Sequence, residues 1–236
     1  MKDIATPDAT IAVIGGTGKL GAALARRLAK AGSRVVIGSR SAESAQAKAQ
    51  ELGFDLTGMS NADAARAADV LIITVPFAAQ EATLLEIAPY AAGKIVCDTT
   101  VPLMPPKVMR AQLPSEGSAA QRAQRLLGDA VTMVSGFHNV AAHKLATDED
   151  IQCDVLVFGD DRAARDLIVR LANRAGLRGL HGGALANSAA AEALTSVLIF
   201  LNKTYQVDGA GIVITGRLVE PSTVTAPSSE PERVSQ

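Results

Sequence analysis

Five short β-branched and aliphatic runs punctuate the first 136 residues of this chain: IAVIG at 11–15, RVVIG at 34–38, DVLIITVP at 69–76, KIVCDTT at 94–100 and AVTMVSG at 130–136. Alanine-rich stretches with helical spacing lie between them. Strands that are apolar at nearly every position must be covered on both faces, and the arrangement that does this with intervening helices is a parallel sheet between two helical layers. The first unit shows the pattern best. Leu20, Leu24 and Leu28 recur every four residues and lay an apolar stripe along one helix face, and Ala31-Gly32 ends that helix. The expected fold class is α/β, a Rossmann-type doubly wound parallel sheet with a small C-terminal α/β domain.

The turn that joins the first run to the first helix narrows the function. In IAVIGGTGKLG, Gly16, Gly18 and Gly21 form a GxGxxG pattern that follows a strand and opens an amphipathic helix, the context in which that pattern binds a dinucleotide. Gly16 is expected to permit the tight turn, Gly18 to let the backbone approach a pyrophosphate, and Gly21 to bring the helix close to the sheet. The helix N-terminus adds free N–H groups and roughly half a positive charge. Thr17 is placed to add a hydroxyl donor, and Lys19 and Leu20 complete the stretch expected to touch the cofactor.

At the end of the second run, an NAD site would place an acid to accept from the ribose hydroxyls. This chain has Gly38-Ser39-Arg40 instead. A guanidinium can grip a 2′-phosphate through two charge-assisted hydrogen bonds while lying over adenine, and the Ser39 hydroxyl adds a donor, so the expected cofactor is NADP(H).

Beyond the five runs, a second pattern begins at DVLVFGD from Asp154, with a helix at about 162–175, the short segment RGLHGG, and a long Ala/Leu-rich helix at about 185–205. The domains are drawn as 1–136 for the NADP-binding unit, 137–219 for a small C-terminal domain completing the cleft, and 220–236 for a disordered tail rich in Pro, Ser and Glu. Four of the ten prolines fall between Pro102 and Ser118, which reads as an irregular loop closed by a helix that Ser118 caps. Asn187 and Ser188 are expected to cap the long helix, with Glu192 and Thr195 on a shared face beyond them. The run 197–201, apolar all round, suits a buried or dimer-interface position.

A formal charge of −1 with dispersed Lys and Arg argues against a nucleic-acid or membrane-surface partner. No uninterrupted apolar run reaches the length of a membrane span, and the N-terminus lacks a signal-peptide pattern, so the expected location is cytoplasmic. Cys97 and Cys153 stand alone in apolar runs and read as buried thiols; no spacing suggests a metal site.

In order and spacing, IAVIGGTGKLG, VVIGSRS with AESAQAKAQELG, ADVLIITVPF and the late ALANS and EALT blocks resemble the NADPH-dependent coenzyme F-420 reductases, over residues 11 to 217. The resemblance implies direct hydride transfer between NADP(H) and the deazaflavin coenzyme F-420, in a homodimer whose ring systems meet between the domains. It also implies that Thr17, Ser39 and Arg40 bind the 2′-phosphate end, and that Thr74, Pro76 and His138, with Val75, border the nicotinamide or deazaflavin. The chain departs from the family at Phe77-Ala78-Ala79-Gln80 and partly at Thr99-Thr100-Val101-Pro102. A flavin, ketoacid or imine acceptor, or a non-catalytic NADP-binding sensor, are the competing readings.

The residues themselves agree with a reaction that needs no proton relay. There is no Tyr-xxx-Lys pair and no Ser/His/Asp pattern, and hydride transfer between stacked rings asks mainly for positioning. His138 is the one candidate for ring positioning, expected to titrate near neutrality, while Ala141, Ala142 and Gly209 to Gly211 are expected to line a cleft wide enough for a planar ring.

Overall fold

The computed structural model describes residues 9–219. The expected disordered tail at 220–236 lies outside the described residues, as do residues 1–8. The elements follow in the order β1 (Thr10–Ile14), α1 (Lys19–Lys30), β2 (Arg34–Ser39), α2 (Ala42–Leu52), β3 (Thr57–Ser60), α3 (Asn61–Ala67), β4 (Val70–Ile73), α4 (Phe77–Ala91), β5 (Ile95–Asp98), α5 (Ala119–Leu127) and β6 (Thr132–Ser135). They continue with α6 (Ala142–Leu145), β7 (Asp154–Gly159), α7 (Arg162–Arg174), β8 (Arg178–Gly183) and α8 (Ser188–Tyr205).

The strands form one sheet in the order β3-β2-β1-β4-β5-β6-β7-β8. The first six are parallel and reverse direction of winding between β1 and β4, the place where doubly wound sheets bind ligands. β4 shows why both faces are covered. Val70 and Ile72 point to one side and Leu71 and Ile73 to the other, and all four are fully buried. One face packs Leu24, Leu28, Ile37 and Ile168 beneath α1, α2 and α7, and the other packs Ile14, Leu84 and Ile87 beneath α3 and α4.

β7 departs from the parallel order. It runs antiparallel to β6 and overlaps it at only Val134↔Gly159 and Ser135↔Phe158, so Asp154–Val157 project past the carboxyl ends of the parallel strands. β8 pairs parallel with β7 and lies at the sheet edge. Residues beyond 136 therefore extend the same sheet and raise one side of it above the strand ends.

Several boundaries differ from those read in the sequence. DVLIITVP forms a strand only over Val70–Ile73, and KIVCDTT only over Ile95–Asp98, because Thr74–Pro76 and Thr99–Thr100 have already left the sheet at its carboxyl edge. β3 has no counterpart among the expected strands. TGMS carries no apolar run, and it joins the sheet because a side chain on Gly58 would meet the Ala45 backbone at 2.2 Å, so only glycine lets α2 lie this close. Ser118 caps α5 as expected, accepting from the Gln121 N–H at 3.0 Å. Asn187 and Ser188 do not cap α8. A 3₁₀ turn over Leu185–Asn187 runs directly into the helix, so Asn187 already has helical dihedrals and its amide instead donates to the Gly182 carbonyl.

Candidate functional site

The loop after β1 is tied at both ends by its own backbone. The Gly16 N–H donates to the Gly38 carbonyl at 2.9 Å, and the Gly18 N–H to the Gly15 carbonyl at 3.0 Å. The left-handed residue of the turn is Gly15, at φ +74°, rather than Gly16. Gly16 is required for a different reason: a Cβ there would stand 2.7 Å from the Val13 carbonyl oxygen. Gly21 has the role expected of it, since a Cβ would lie 2.4 Å from Thr74 Oγ1 and 2.7 Å from Gly16 Cα.

Gly18 is the N-cap of α1, is exposed, and offers no side chain to the helix terminus. A Cβ at Gly18 would approach only the Gly15 carbonyl at 3.3 Å and the Thr74 carbonyl at 3.9 Å, so the rest of its surroundings is open. An uncapped helix N-terminus with open space at its first glycine fits a diphosphate. Lys19 and Leu20 follow in the first turn, and Thr17 is half-buried beside them.

Arg40 follows the last residue of β2, Ser39, which is buried. The Gly16–Gly38 bond places this strand end beside the glycine loop. Arg40 is exposed and pairs with no carboxylate among the described residues; the nearest acid in sequence, Glu43, accepts instead from the Ser41 hydroxyl at 2.6 Å. A free guanidinium without an acid at the strand end fits a 2′-phosphate.

The end of β4 borders the same loop. Thr74 donates to the Ile14 carbonyl through both its N–H and its hydroxyl, at 2.9 and 2.8 Å. Val75 packs over Gly15, and Pro76 is the N-cap of α4. From β5, Thr99 donates to the Ile73 carbonyl at 2.8 Å, and the Thr100 hydroxyl donates to Asp98 at 2.6 Å. Asp98 is fully buried and also accepts from Gln80. Burial pushes the Asp98 carboxyl above the ordinary range despite the donors from Thr100, Gln80 and Thr99. Gln80, one of the four residues marked as a family departure, is thus part of the buried support behind the β4 and β5 ends.

His138 lies just past β6 and is buried, with its ring 6.3 Å from that of Phe158. Among the described residues neither ring nitrogen has a hydrogen-bond partner, and the same holds for the buried Ser135 hydroxyl and for Gln80 Oε1. The expectation of titration near neutrality does not hold, because burial pushes the imidazole down to about 4 and keeps it neutral. α8 fixes the backbone here. Thr195 donates to the His138 carbonyl at 3.0 Å, and Asn139 donates to the Ala191 carbonyl at 2.9 Å.

Glu192, on the adjacent face of α8, is buried and accepts from the N–H groups of Ala119 and Ala120. Desolvation raises its carboxyl to about 8, against the effect of those two donors. Leu185–Tyr205 is the one described helical stretch long and apolar enough to cross a membrane, by length and composition alone. Here it sets buried Ser188, Glu192 and Ser196 against the rest of the chain, and it leaves Val197 and Phe200 about half exposed.

Of the small residues expected to line a cleft, Gly209 is closed off by Ala141 and Gly211 by Cys153. A Cβ on Gly209 would stand 2.6 Å from that of Ala141, and one on Gly211 would stand 2.7 Å from the Cys153 sulfur. Their size serves packing between 139–143 and 207–212. His143 is exposed and paired with Asp208, and Cys97 and Cys153 are free and buried.

Residues 10–102 match the family described as NADP oxidoreductase coenzyme F420-dependent. The chain is 41% identical over 218 residues to the F420-dependent NADP reductase of Methanothermobacter marburgensis, covering 87% of this chain and 97% of that protein. It is 39% identical over 220 residues to the F420-dependent NADP reductase of Methanocaldococcus jannaschii, again covering 87% and 97%. A solved structure from Arthrobacter sp. FB24 superposes with a TM-score of 0.73 at 25% identity, over 87% of this chain and 99% of that one. With relatives of that identity matched over nearly their whole length, the chain belongs to the coenzyme F420-dependent NADP oxidoreductase family.

Proposed function

We propose that this protein transfers a hydride directly between NADP(H) and the deazaflavin coenzyme F-420. The observation that carries the nucleotide half is the pairing of an uncapped α1 terminus, open at Gly18, with an exposed Arg40 free of any described carboxylate at the neighbouring strand end. Gly16, Thr17, Gly18, Lys19, Leu20 and Gly21 would hold the diphosphate, Ser39 and Arg40 the 2′-phosphate, and Thr74, Val75 and Pro76 the nicotinamide end. The likeness to F420-dependent NADP reductases over 87% of this chain and 97% of each relative supports F-420 as the other party.

When bound, the nicotinamide and deazaflavin rings supply the donor and acceptor carbons themselves. The chain then has to hold the two ligands in one geometry, which can be worth roughly 7 to 11 kcal/mol of barrier. Residues bonded across the strand ends, Thr74 to Ile14 and Thr99 to Ile73, give the floor of that site a fixed shape. His138 enters as a neutral imidazole with one donor and one acceptor unspent, a suitable partner for a ring amide or carbonyl once a ligand opens the contact.

Two copies would pair through α8, a reading supported by the exposed Val197 and Phe200 on its outer face. A cytoplasmic location is part of the same proposal, and the two free thiols suit a reducing compartment.

The direct test is absorbance of the purified protein with NADPH and oxidised F-420, with a flavin as control. Bleaching of the deazaflavin band that needs both the protein and NADPH, and is absent with the flavin, is the expected result. Equal turnover of the flavin, or no bleaching by a protein that binds NADPH, would overturn the assignment of the acceptor.

A further inference from the structure

We propose that Asn61 is a positioning residue for the dinucleotide, holding the glycine loop in its binding shape and oriented for that task by Glu86. The proposal rests on the nucleotide site described above. Asn61 opens α3 with a side chain 1% exposed. Its Oδ1 accepts from the Gly15 N–H at 3.3 Å, and its Nδ2 donates to Glu86 Oε2 at 3.2 Å. A Cβ on Gly38 would stand 3.1 Å from the same Oδ1, so Asn61 also presses against the strand end that leads to Ser39 and Arg40.

Three segments that would touch NADP(H) thus converge on one amide. They are the loop at Gly15–Gly18, the end of β2, and α4, which begins directly after Pro76 and carries Glu86. Gly15 is the left-handed residue of the turn, and its N–H takes part in no strand or helix ladder, so Asn61 supplies the acceptor it needs. Glu86 can only accept, which turns the amide nitrogen toward it and leaves the oxygen facing Gly15. A side chain must offer both a donor and an acceptor at this reach to join the two.

The test compares full-length Asn61→Ala with the wild type by NADPH titration and steady-state kinetics. We expect the NADPH Kd and KM to rise about tenfold, with kcat changing far less, and NADH binding to fall by a similar factor because the loop is common to both. Asn61→Asp keeps the acceptor but sets a second carboxylate against Glu86 beneath the phosphates, and should bind more weakly still. Adding Glu86→Gln to it restores a donor–acceptor pair in the opposite sense and should recover much of the loss, which a generally loosened fold would not do.

Wild-type NADPH affinity in Asn61→Ala, or loss of kcat at unchanged KM, would overturn the proposal. If Asn61→Ala does not fold, Glu86→Ala at an exposed position serves: a rise in Kd of about threefold is expected, and an unchanged Kd overturns the proposal. A wild-type protein that bound no NADPH would instead remove the nucleotide reading itself, before any variant is compared.

Discussion

Glu192 on α8 holds the first backbone N–H of α5, that of Ala119, at 2.7 Å across 73 residues of sequence. Ser188 and Ser196, one turn to either side, donate to Ser118 at 2.9 Å and to the Arg110 carbonyl at 3.1 Å. One buried polar line along α8 therefore fastens the proline-rich loop and the start of α5.

That carboxylate makes stability depend on pH in a direction that can be stated. Its pKa rises from the ordinary 4.5 to about 8, so between those values the folded chain keeps a proton that the unfolded chain has released. Stability contributed by Glu192 is present below pH 4.5 and is lost as pH rises toward 8, by roughly 1 kcal/mol per pH unit. Denaturant unfolding from pH 5 to 9 should show a flatter profile for Glu192→Gln than for the wild type; parallel profiles would refute the shift.

The second and third glycines of the motif, Gly18 and Gly21, should separate folding from binding. Gly18→Ala adds a methyl at φ −73° with no contact closer than 3.3 Å, so its melting temperature should stay near wild type while NADPH affinity falls at least tenfold. Gly21→Ala forces a methyl to within 2.4 Å of Thr74 Oγ1 and should cost about 1 to 3 kcal/mol of stability as well. Equal thermal stability of the two variants would contradict this account.

Arg40→Ala removes the guanidinium assigned to the 2′-phosphate. Charge-assisted hydrogen bonds are worth about 1.5 to 3 kcal/mol, so NADPH should bind about ten- to a hundredfold more weakly while NADH is nearly unaffected. Calorimetric titration with both nucleotides decides it, and equal weakening would deny a phosphate role.

His138 joins a stability cost to a proposed use. His138→Leu removes two unpartnered buried nitrogens and should raise stability by about 1 to 3 kcal/mol, with NADPH affinity preserved and F-420 turnover reduced. Unchanged turnover would take His138 out of the site. Because its imidazole is held near 4, the wild-type rate between pH 6 and 8 should show no ionisation that disappears in this variant.

What could be read from sequence was whatever neighbours in the chain decide. The β1-α1-β2 unit follows from a strand, a glycine turn and a leucine stripe within 30 residues, and Arg40 stands out because an acid is absent where one would be diagnostic. The partners of Asn61, Gln80 and Glu192 lie between 18 and 73 residues away, and no local pattern reports them. Two signals were available, an acid closing an apolar strand at Asp98 and a lone acid in an alanine-rich helix at Glu192. His138 looks like an ordinary strand-end histidine until Phe158 and α8 close over it, and β3 has no apolar run to announce it.

Arg27, near the far end of α1, donates to the carbonyls of Leu145, Ala175, Thr147 and Glu149, each at 2.8 or 2.9 Å. The helix whose first turn is proposed to hold the nucleotide is thus fastened at its other end to segments made more than a hundred residues later. During synthesis that guanidinium has no native partner until residue 145 has emerged, and its full set only after residue 175. An amino-terminal fragment ending before those residues should keep the glycine motif yet lack the clasp, which makes it a poor nucleotide trap and a good substrate for a protease.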